Sequence, residues 1–314
     1  MTYEEARKEA EQILKGAEVP DAALDAWYLL EYAIRKIEKK ETGRTWYLMN
    51  RKESILPGTL LYYQELVSRR KQRIPLQHLT GEQEFYGYPF YVNEHVLIPR
   101  QDTEVLVEEA LKRKKEGMKV LDLCTGSGCI LLSILKNLKQ GTGVGIDISE
   151  QALEVARRNA KRLGLEAATT FILSDLFEKA QGPYDMIVSN PPYFINSLKC
   201  PDNKRSVARH TDSLPLSELV ENARALLSSP GRIALVLPYE QLEEVRETAQ
   251  KNSLHICRQT NVIPVPGAQP KRLLIELSPA STDTKNRNTL TIEEARHQYT
   301  PEYIALTKDF YLKM

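Results

Sequence analysis

Val120-Leu121-Asp122-Leu123-Cys124-Thr125-Gly126-Ser127-Gly128-Cys129-Ile130 reads as a strand that runs into a glycine turn and then a helix. Glycines there let the backbone approach a ligand closely, and the start of the helix presents free N–H groups. Around this stretch the chain alternates strand and helix. Strands are predicted at Lys119–Leu123, Val144–Ile148, Thr170–Leu173, Tyr184–Ser189 and Arg232–Leu237, and helices at Ile130–Leu138, Glu150–Leu163, Leu216–Leu227 and Glu240–Lys251. Such alternation predicts an α/β domain with a doubly wound, mainly parallel sheet and right-handed crossovers. Two late runs, His255–Val265 and Arg272–Leu277, are separated by turn chemistry and are expected to pair antiparallel at an edge of the sheet.

Upstream of this domain, to about Arg73, apolar residues recur at three- and four-residue spacing, which predicts a small helical bundle. Ala23, Leu24, Ala26, Trp27, Leu30, Ala33, Ile34 and Ile37 would form one broad apolar face, and Leu60, Leu61, Leu66 and Val67 part of another. From Leu79 to Asn93 aromatics flank Gly87 and Pro89, which suits a short hairpin joining the two parts. The expected organisation is a bundle over 1–73, a hairpin linker over 74–93, the α/β domain over 94–279 and a C-terminal extension over 280–314. The extension opens with the polar run Ala280–Asn288 and closes on an apolar face of Tyr303, Ile304, Leu306, Phe310 and Tyr311.

Composition removes several classes of function. With 43 Lys and Arg against 42 Asp and Glu, the 314 residues are neither a polybasic nucleic-acid coat nor an acidic disordered tail, although a local patch could still meet RNA. Residues 1–92 carry 14 basic and 14 acidic side chains, so the bundle does not grip RNA by bulk charge. No run of about 18 apolar residues is present, and the charged start lacks the apolar core of a leader, so a cytoplasmic location without membrane contact is expected. Cys124, Cys129, Cys200 and Cys257 form no metal-ligand or disulfide spacing, and no metal is expected.

Alone, the glycine loop is shared by dinucleotide enzymes, methyltransferases and structural turns. Two acids narrow the choice. The second strand ends in Asp147, about 20 residues after the loop, where a carboxylate can accept both ribose hydroxyls. The third ends in Asp175-Leu176, an acid and an apolar side chain suited to an adenine edge and face; Asp175 equally suits a helix N-cap. Candidate cofactor residues are therefore Asp122, Cys124, Thr125, Gly126, Ser127, Gly128, Asp147, Asp175, Leu176 and Asn190. The loop lacks the spacing of the dinucleotide fingerprint, which favours a nucleoside cofactor without a pyrophosphate.

The fourth strand ends in Asn190-Pro191-Pro192-Tyr193. Two prolines remove two backbone donors and stiffen the turn, leaving carbonyls to act as acceptors beside the Asn190 side-chain oxygen, while Tyr193 offers a flat face. Such a turn can grip a planar NH2 group. The nitrogen of an amide or an adenine amine is a poor nucleophile because its lone pair is delocalised. Accepting its N–H bonds favours a pyramidal nitrogen and stabilises the positive charge that develops on it. Asn190, Pro191, Pro192 and Tyr193 are the candidate catalytic and substrate-binding residues.

With these motifs the chain resembles the class I (Rossmann-like) S-adenosylmethionine-dependent methyltransferases of the amino-methylating NPPY group. Up to about Tyr193 it is similar to the PrmC/HemK family, through Pro75-Leu76-Gln77-His78-Leu79-Thr80-Gly81, Phe85-Tyr86-Gly87 and Val96-Leu97-Ile98-Pro99-Arg100-Gln101-Asp102-Thr103-Glu104. That resemblance implies S-adenosyl-L-methionine as cofactor and, as substrate and partner, a peptide chain release factor methylated on the N5 amide of the glutamine in its Gly-Gly-Gln motif. It also implies a helical bundle that helps hold the release factor. Beyond Tyr193 the pattern changes. Phe194-Ile195-Asn196-Ser197, Ser206-Val207-Ala208-Arg209-His210-Thr211, Leu235-Val236-Leu237-Pro238 and Tyr299-Thr300-Pro301-Glu302-Tyr303 resemble the YfiC-type tRNA adenine N6-methyltransferases.

Release-factor glutamine methylation is the leading expectation. The alternatives are tRNA adenine N6-methylation, in which Lys199, Lys204, Arg205 and Arg209 would hold phosphates, and a hybrid that binds cofactor without turnover. Arg100 and Glu104 would either clamp the cofactor carboxylate and order the loop over it, or form an ion pair at a helix start. Cys124 and Cys129 read as small apolar fillers beneath the loop.

Overall fold

The computed structural model describes residues 1–192, 215–280, 286–295 and 298–307. Two compact units result, one formed by Met1–Glu82 with Val92–Glu94 and the other by Gln83–Tyr91 with His95–Met314.

In the first unit Thr2 and Glu5 close a capping box, the Thr2 hydroxyl accepting from Glu5 N (3.2 Å) and the Glu5 carboxylate from Thr2 N (2.8 Å). That box starts helix α1 (Tyr3–Gly16), which packs with α2 (Ala22–Glu38), α3 (Arg44–Asn50), α4 (Pro57–Lys71) and α5 (Leu76–Thr80). The buried stripe of α2 is Ala22, Ala26, Leu29, Leu30, Ala33 and Ile34. Ala23, Leu24 and Ile37, expected on that face, are exposed instead, as is Leu61 on α4. Tyr63 fills the centre and donates to Ala26 O at 2.8 Å, while Arg70 pairs with the buried Asp25 at 2.6 Å.

Strands β1 (Glu82–Phe85) and β2 (Tyr88–Tyr91) form the hairpin. Its turn residues Tyr86 and Gly87 have φ of 52° and 71°, the mirror-type turn that matches strand twist. A tyrosine is uncommon in that conformation and is held there by helix α6 (Gln101–Leu111): Tyr86 N donates to Glu104 at 2.9 Å and its hydroxyl to Glu108 at 2.8 Å. Phe85 and Phe90, edge to face at 6.0 Å, belong to the core of the second unit. The hairpin is thus part of that core.

The second unit continues through β3 (Lys119–Leu123), α7 (Cys129–Lys136), β4 (Thr142–Asp147), α8 (Glu150–Leu163), β5 (Thr169–Leu173) and β6 (Tyr184–Ser189). After Pro215 follow α9 (Leu216–Ala225), β7 (Leu227–Pro238), α10 (Leu242–Lys251), β8 (His255–Ile263), β9 (Arg272–Ser278), β10 (Asn286–Thr291), β11 (Glu293–Ala295), β12 (Gln298–Tyr299) and α11 (Pro301–Thr307). Among the described residues eight strands make one sheet in the order β10-β8-β9-β7-β6-β3-β4-β5. All neighbours run parallel except β9, antiparallel to both β7 and β8.

Alternate side chains of the central strands feed two cores. Val120, Met186, Val188, Ala234 and Val236 lie with α6, α7 and α8, whereas Leu121, Ile187, Ile233 and Leu235 lie with α9 and α10. The connection therefore changes face between β3 and β6, and a ligand crevice opens where strand order reverses. The sheet also spans both regions of resemblance. Strand β6 pairs with β7 from Met186↔Arg232 to Ser189↔Leu235, and helix α6 meets the late elements through Gln101–Tyr299 (2.9 Å), Asp102–Arg272 (3.9 Å), Glu104–Tyr303 (3.3 Å) and the buried Glu109–Arg258 pair.

At the β8 end the chain departs from expectation. The β8–β9 pair is antiparallel as expected, yet β10 covers β8 and occupies the edge. Asn286, Arg287 and Asn288, which their polarity marks as linker, are ladder residues there. An edge strand with one solvated face needs no apolar run. Phe310 and Tyr311 lie outside the described residues.

Candidate functional site

The carboxyl ends of β6, β3, β4 and β5 lie side by side. Leu123 is opposite both Ser189 and Ile146, and Asp147 is opposite Leu173. The loops after these strands therefore open along one edge of the sheet, bringing residues 124–128, 147–149, 174–176 and 190–192 together.

The glycine loop curls back on itself through left-handed backbone at Cys124 (φ 58°), Gly126 (54°) and Gly128 (77°). At Gly128 a Cβ would come 3.1 Å from Leu132 and 3.3 Å from Ala156, so the loop is pressed onto α7 and α8. At Gly126 the nearest atom to such a Cβ is Cys124 O at 4.0 Å, so the space in front of the loop is open. Thr125 N donates to Ile146 O (2.9 Å) and Gly126 N to Asp147 Oδ2 (2.9 Å), which fixes the loop to the end of β4. Ser149 N donates to the other Asp147 oxygen at 3.0 Å, and Ser149 then caps α8.

Two carboxylates bound this cradle. Burial pushes the Asp147 carboxyl above the usual range, against hydrogen bonds from Ser149, Gly126 and Ile148 that favour its charge. Asp122 is fully buried beneath the loop and its Oδ2 accepts from Thr125 Oγ1 at 2.7 Å, while its Oδ1 has no hydrogen-bond partner among the described residues. Burial pushes its carboxyl up to about 7, opposed in part by the Thr125 bond. Asp175 is exposed at the end of β5, next to Leu176 at φ 44°, and the hydroxyl that caps this turn is that of Ser174, accepting Lys179 N at 3.2 Å.

On the opposite side Ser189 is fully buried and donates from Oγ to Leu123 O at 2.7 Å, tying the end of β6 to the end of β3. Asn190 follows half-buried, Pro191 buried and Pro192 exposed. Tyr193, Lys199, Lys204, Arg205, Arg209 and His210 lie outside the described residues. Burial pushes the Cys124 and Cys129 thiols up to about 12, so both stay protonated. Glu104 is buried and accepts Tyr86 N and the Tyr303 hydroxyl, while Arg100 is exposed. Glu104 thus clips α6 to the hairpin and to α11.

Two buried polar residues of this region have no role assigned to them from the sequence. Ser189 is one. The other is Asn159 on α8, fully buried, whose amide accepts Tyr91 N (2.7 Å) and donates to Tyr91 O (3.0 Å) and Ser127 O (2.9 Å). Its signal was a polar side chain inside the apolar stripe Ala152, Ala156, Ala160 and Leu163. Among the described residues no group of three or more His, Cys, Asp or Glu can hold a metal, and no helix is long and apolar enough to cross a membrane.

Comparison with known proteins agrees with this architecture. A family described as "Methyltransferase domain" matches residues 114–296, and one described as "PrmC N-terminal domain" matches residues 5–81. A tRNA1(Val) (adenine(37)-N6)-methyltransferase of Parabacteroides distasonis is 44% identical over 204 residues, covering 62% of this chain and 84% of that protein. One of the same description from Trichodesmium erythraeum is 38% identical over 203 residues, covering 62% and 83%. Among solved structures, an Agrobacterium tumefaciens protein described as a predicted O-methyltransferase superposes with a TM-score of 0.50 at 17% identity, covering 66% of this chain and 97% of that one. The M. jannaschii tRNA m1G37 methyltransferase gives 0.50 at 16%, covering 64% and 57%. The fold is that of a class I methyltransferase, and the chain belongs to the methyltransferase-domain family. It is an S-adenosylmethionine-dependent enzyme, and the cradle fits that cofactor: the open space before Gly126 and the Asp147 carboxylate at the end of β4 suit a ligand that carries ribose hydroxyls.

Proposed function

We propose that this chain methylates the exocyclic N6 amine of an adenine in tRNA. The observation that carries the reading is the 44% identity to the Parabacteroides enzyme across 84% of that protein's length, far more than a shared fold requires.

In this reading Asp147 takes the ribose hydroxyls of the cofactor on the lone pairs left after the Gly126 and Ser149 bonds. Asp175 and Leu176 take the edge and face of its adenine, and Asp122 and Thr125 hold the glycine loop in shape from below. When bound, S-adenosylmethionine supplies a methyl group on a sulfonium, a good leaving group, so a strong general base is not needed. The Asn190 side-chain oxygen and the carbonyl that follows it accept the two N–H bonds of the target amine. Pro191 and Pro192 keep that turn stiff, and Tyr193 stacks on the flipped base. The acceptors stabilise the positive charge that grows on nitrogen during transfer.

A second reading, methylation of a release-factor glutamine amide, is favoured by the match of residues 5–81 to the PrmC N-terminal domain. The target is again a planar NH2, and the same acceptors serve it. Incubating the protein with methyl-labelled S-adenosylmethionine and either unmodified tRNA or unmethylated release factor separates the two. Label in tRNA, recovered as N6-methyladenine and lost steeply as salt rises, is the expected result. Label in the release factor, abolished when its Gly-Gly-Gln glutamine is changed, would overturn it in favour of the second reading.

A further inference from the structure

Helix α8 starts at the Asp147–Ser149 corner and ends beneath the hairpin, and Asn159 lies where it passes both the glycine loop and β2. A primary amide has two N–H donors and one oxygen. In Asn159 both donors and the oxygen are engaged, across two segments far apart in sequence: Ser127 O in the loop, and both backbone groups of Tyr91 in the hairpin. Towards Tyr91 the amide acts as a further peptide unit, exchanging both bonds as a neighbouring strand would. The adjoining Arg158 guanidinium lies 3.5 Å over the Tyr91 ring and holds the same residue from the side.

This geometry leaves the amide one orientation. Turning it over would set its oxygen against the Ser127 and Tyr91 carbonyls and its NH2 against the Tyr91 N–H. A ligand that orders the loop therefore orders the Asn159 side chain, and with it the outer edge of β2. We propose that Asn159 is a positioning residue that couples cofactor occupancy of the glycine loop to the order of the hairpin Gln83–Tyr91. The inference rests on the reading that residues 124–128 hold S-adenosylmethionine. By linkage the coupling runs both ways: an Asn159 that no longer holds the hairpin weakens cofactor binding by the factor by which the cofactor no longer steadies the hairpin.

Hydrogen–deuterium exchange on the full chain, with and without saturating S-adenosylmethionine, tests this at Gly126–Gly128 and at the Tyr91 amide. In the unaltered protein the cofactor is expected to slow exchange at both places, at Tyr91 by about tenfold. In Asn159→Ala and in the isosteric Asn159→Asp the loop still gains protection, but the gain at Tyr91 falls below about twofold, and cofactor affinity drops by a matching factor. Leu153→Ala, which empties a fully buried site on the same helix without touching either bond, is the control for lost stability and keeps the tenfold gain. Protection of the loop with none at Tyr91 in the unaltered protein overturns the proposal. So does a gain at Tyr91 that survives in Asn159→Asp or vanishes equally in Leu153→Ala. If the cofactor protects neither place, the reading of the loop itself falls, and the proposal with it.

Discussion

On the β3–β4 side of the crevice the glycine loop is held by partners distant in sequence: Ile146 and Asp147 at the end of β4, and Asn159 on α8. On the β6 side the Asn190-Pro191-Pro192 turn is stiffened by its own two rings, with Ser189 anchoring it to Leu123 O. One wall is a network of long-range hydrogen bonds, the other a locally rigid peptide. Substitutions on the first wall should therefore appear in cofactor affinity, and substitutions on the second in the rate of transfer.

The sharpest division is expected at Asn190. In the proposed mechanism Asn190→Ala removes an acceptor that matters most as charge develops on nitrogen, so kcat should fall by about a thousandfold while cofactor Kd, measured by calorimetry, stays within about threefold. A loss of affinity equal to the loss of rate would erase the distinction between the walls. Next comes Asp147→Ala, which removes the acceptor of two backbone N–H groups and, in the proposed mechanism, of the ribose; cofactor affinity should drop about a hundredfold. A variant that binds normally would move the ribose elsewhere.

Asp122 connects the first wall to pH. Its carboxyl, ordinarily near 3.8, is pushed up to about 7 in the folded chain, so the folded state binds the proton more tightly than the unfolded one. The stability it contributes is full below pH 3.8 and is lost as pH rises through 7. Thermal unfolding at pH 5 and pH 8 should show the unaltered protein losing roughly 2 kcal/mol more than Asp122→Asn over that interval. Parallel pH profiles for the two proteins would show that Asp122 is ionised without cost. The smallest effect belongs to Ser189→Ala. Loss of its buried bond to Leu123 O should cost about 1 kcal/mol of stability in a denaturant titration and leave cofactor affinity unchanged.

The same contrast explains what the sequence could reveal. Strand β6 and helix α8 were legible to the residue because each is a periodic run closed by its own punctuation, Asn190-Pro191 for one, Ser149 and Gly164 for the other. The turn of the glycine loop was legible because Gly126 and Gly128 themselves supply the left-handed backbone it needs. Asn159 and Ser189 were not, since their partners are backbone atoms of Tyr91, Ser127 and Leu123, and backbone atoms leave no mark in a sequence. Ala23, Leu24 and Ile37 misled because an apolar stripe wider than its neighbours can cover is left partly in water. Strand β10 was hidden for the opposite reason, being polar enough to pass as a linker.

That polarity has a consequence for how the protein behaves in a crowded solution. Strand β8 carries Ile256, Cys257 and Val262 and would offer a continuous row of unpaired amides and carbonyls if β10 were absent. Strand β10 covers that row, and its exposed Arg287, Asn288 and Thr289 side chains discourage another chain from adding a strand of its own. The last strand of the sheet is thus a guard against strand addition, and a shortened chain ending at Ser278 would self-associate more readily.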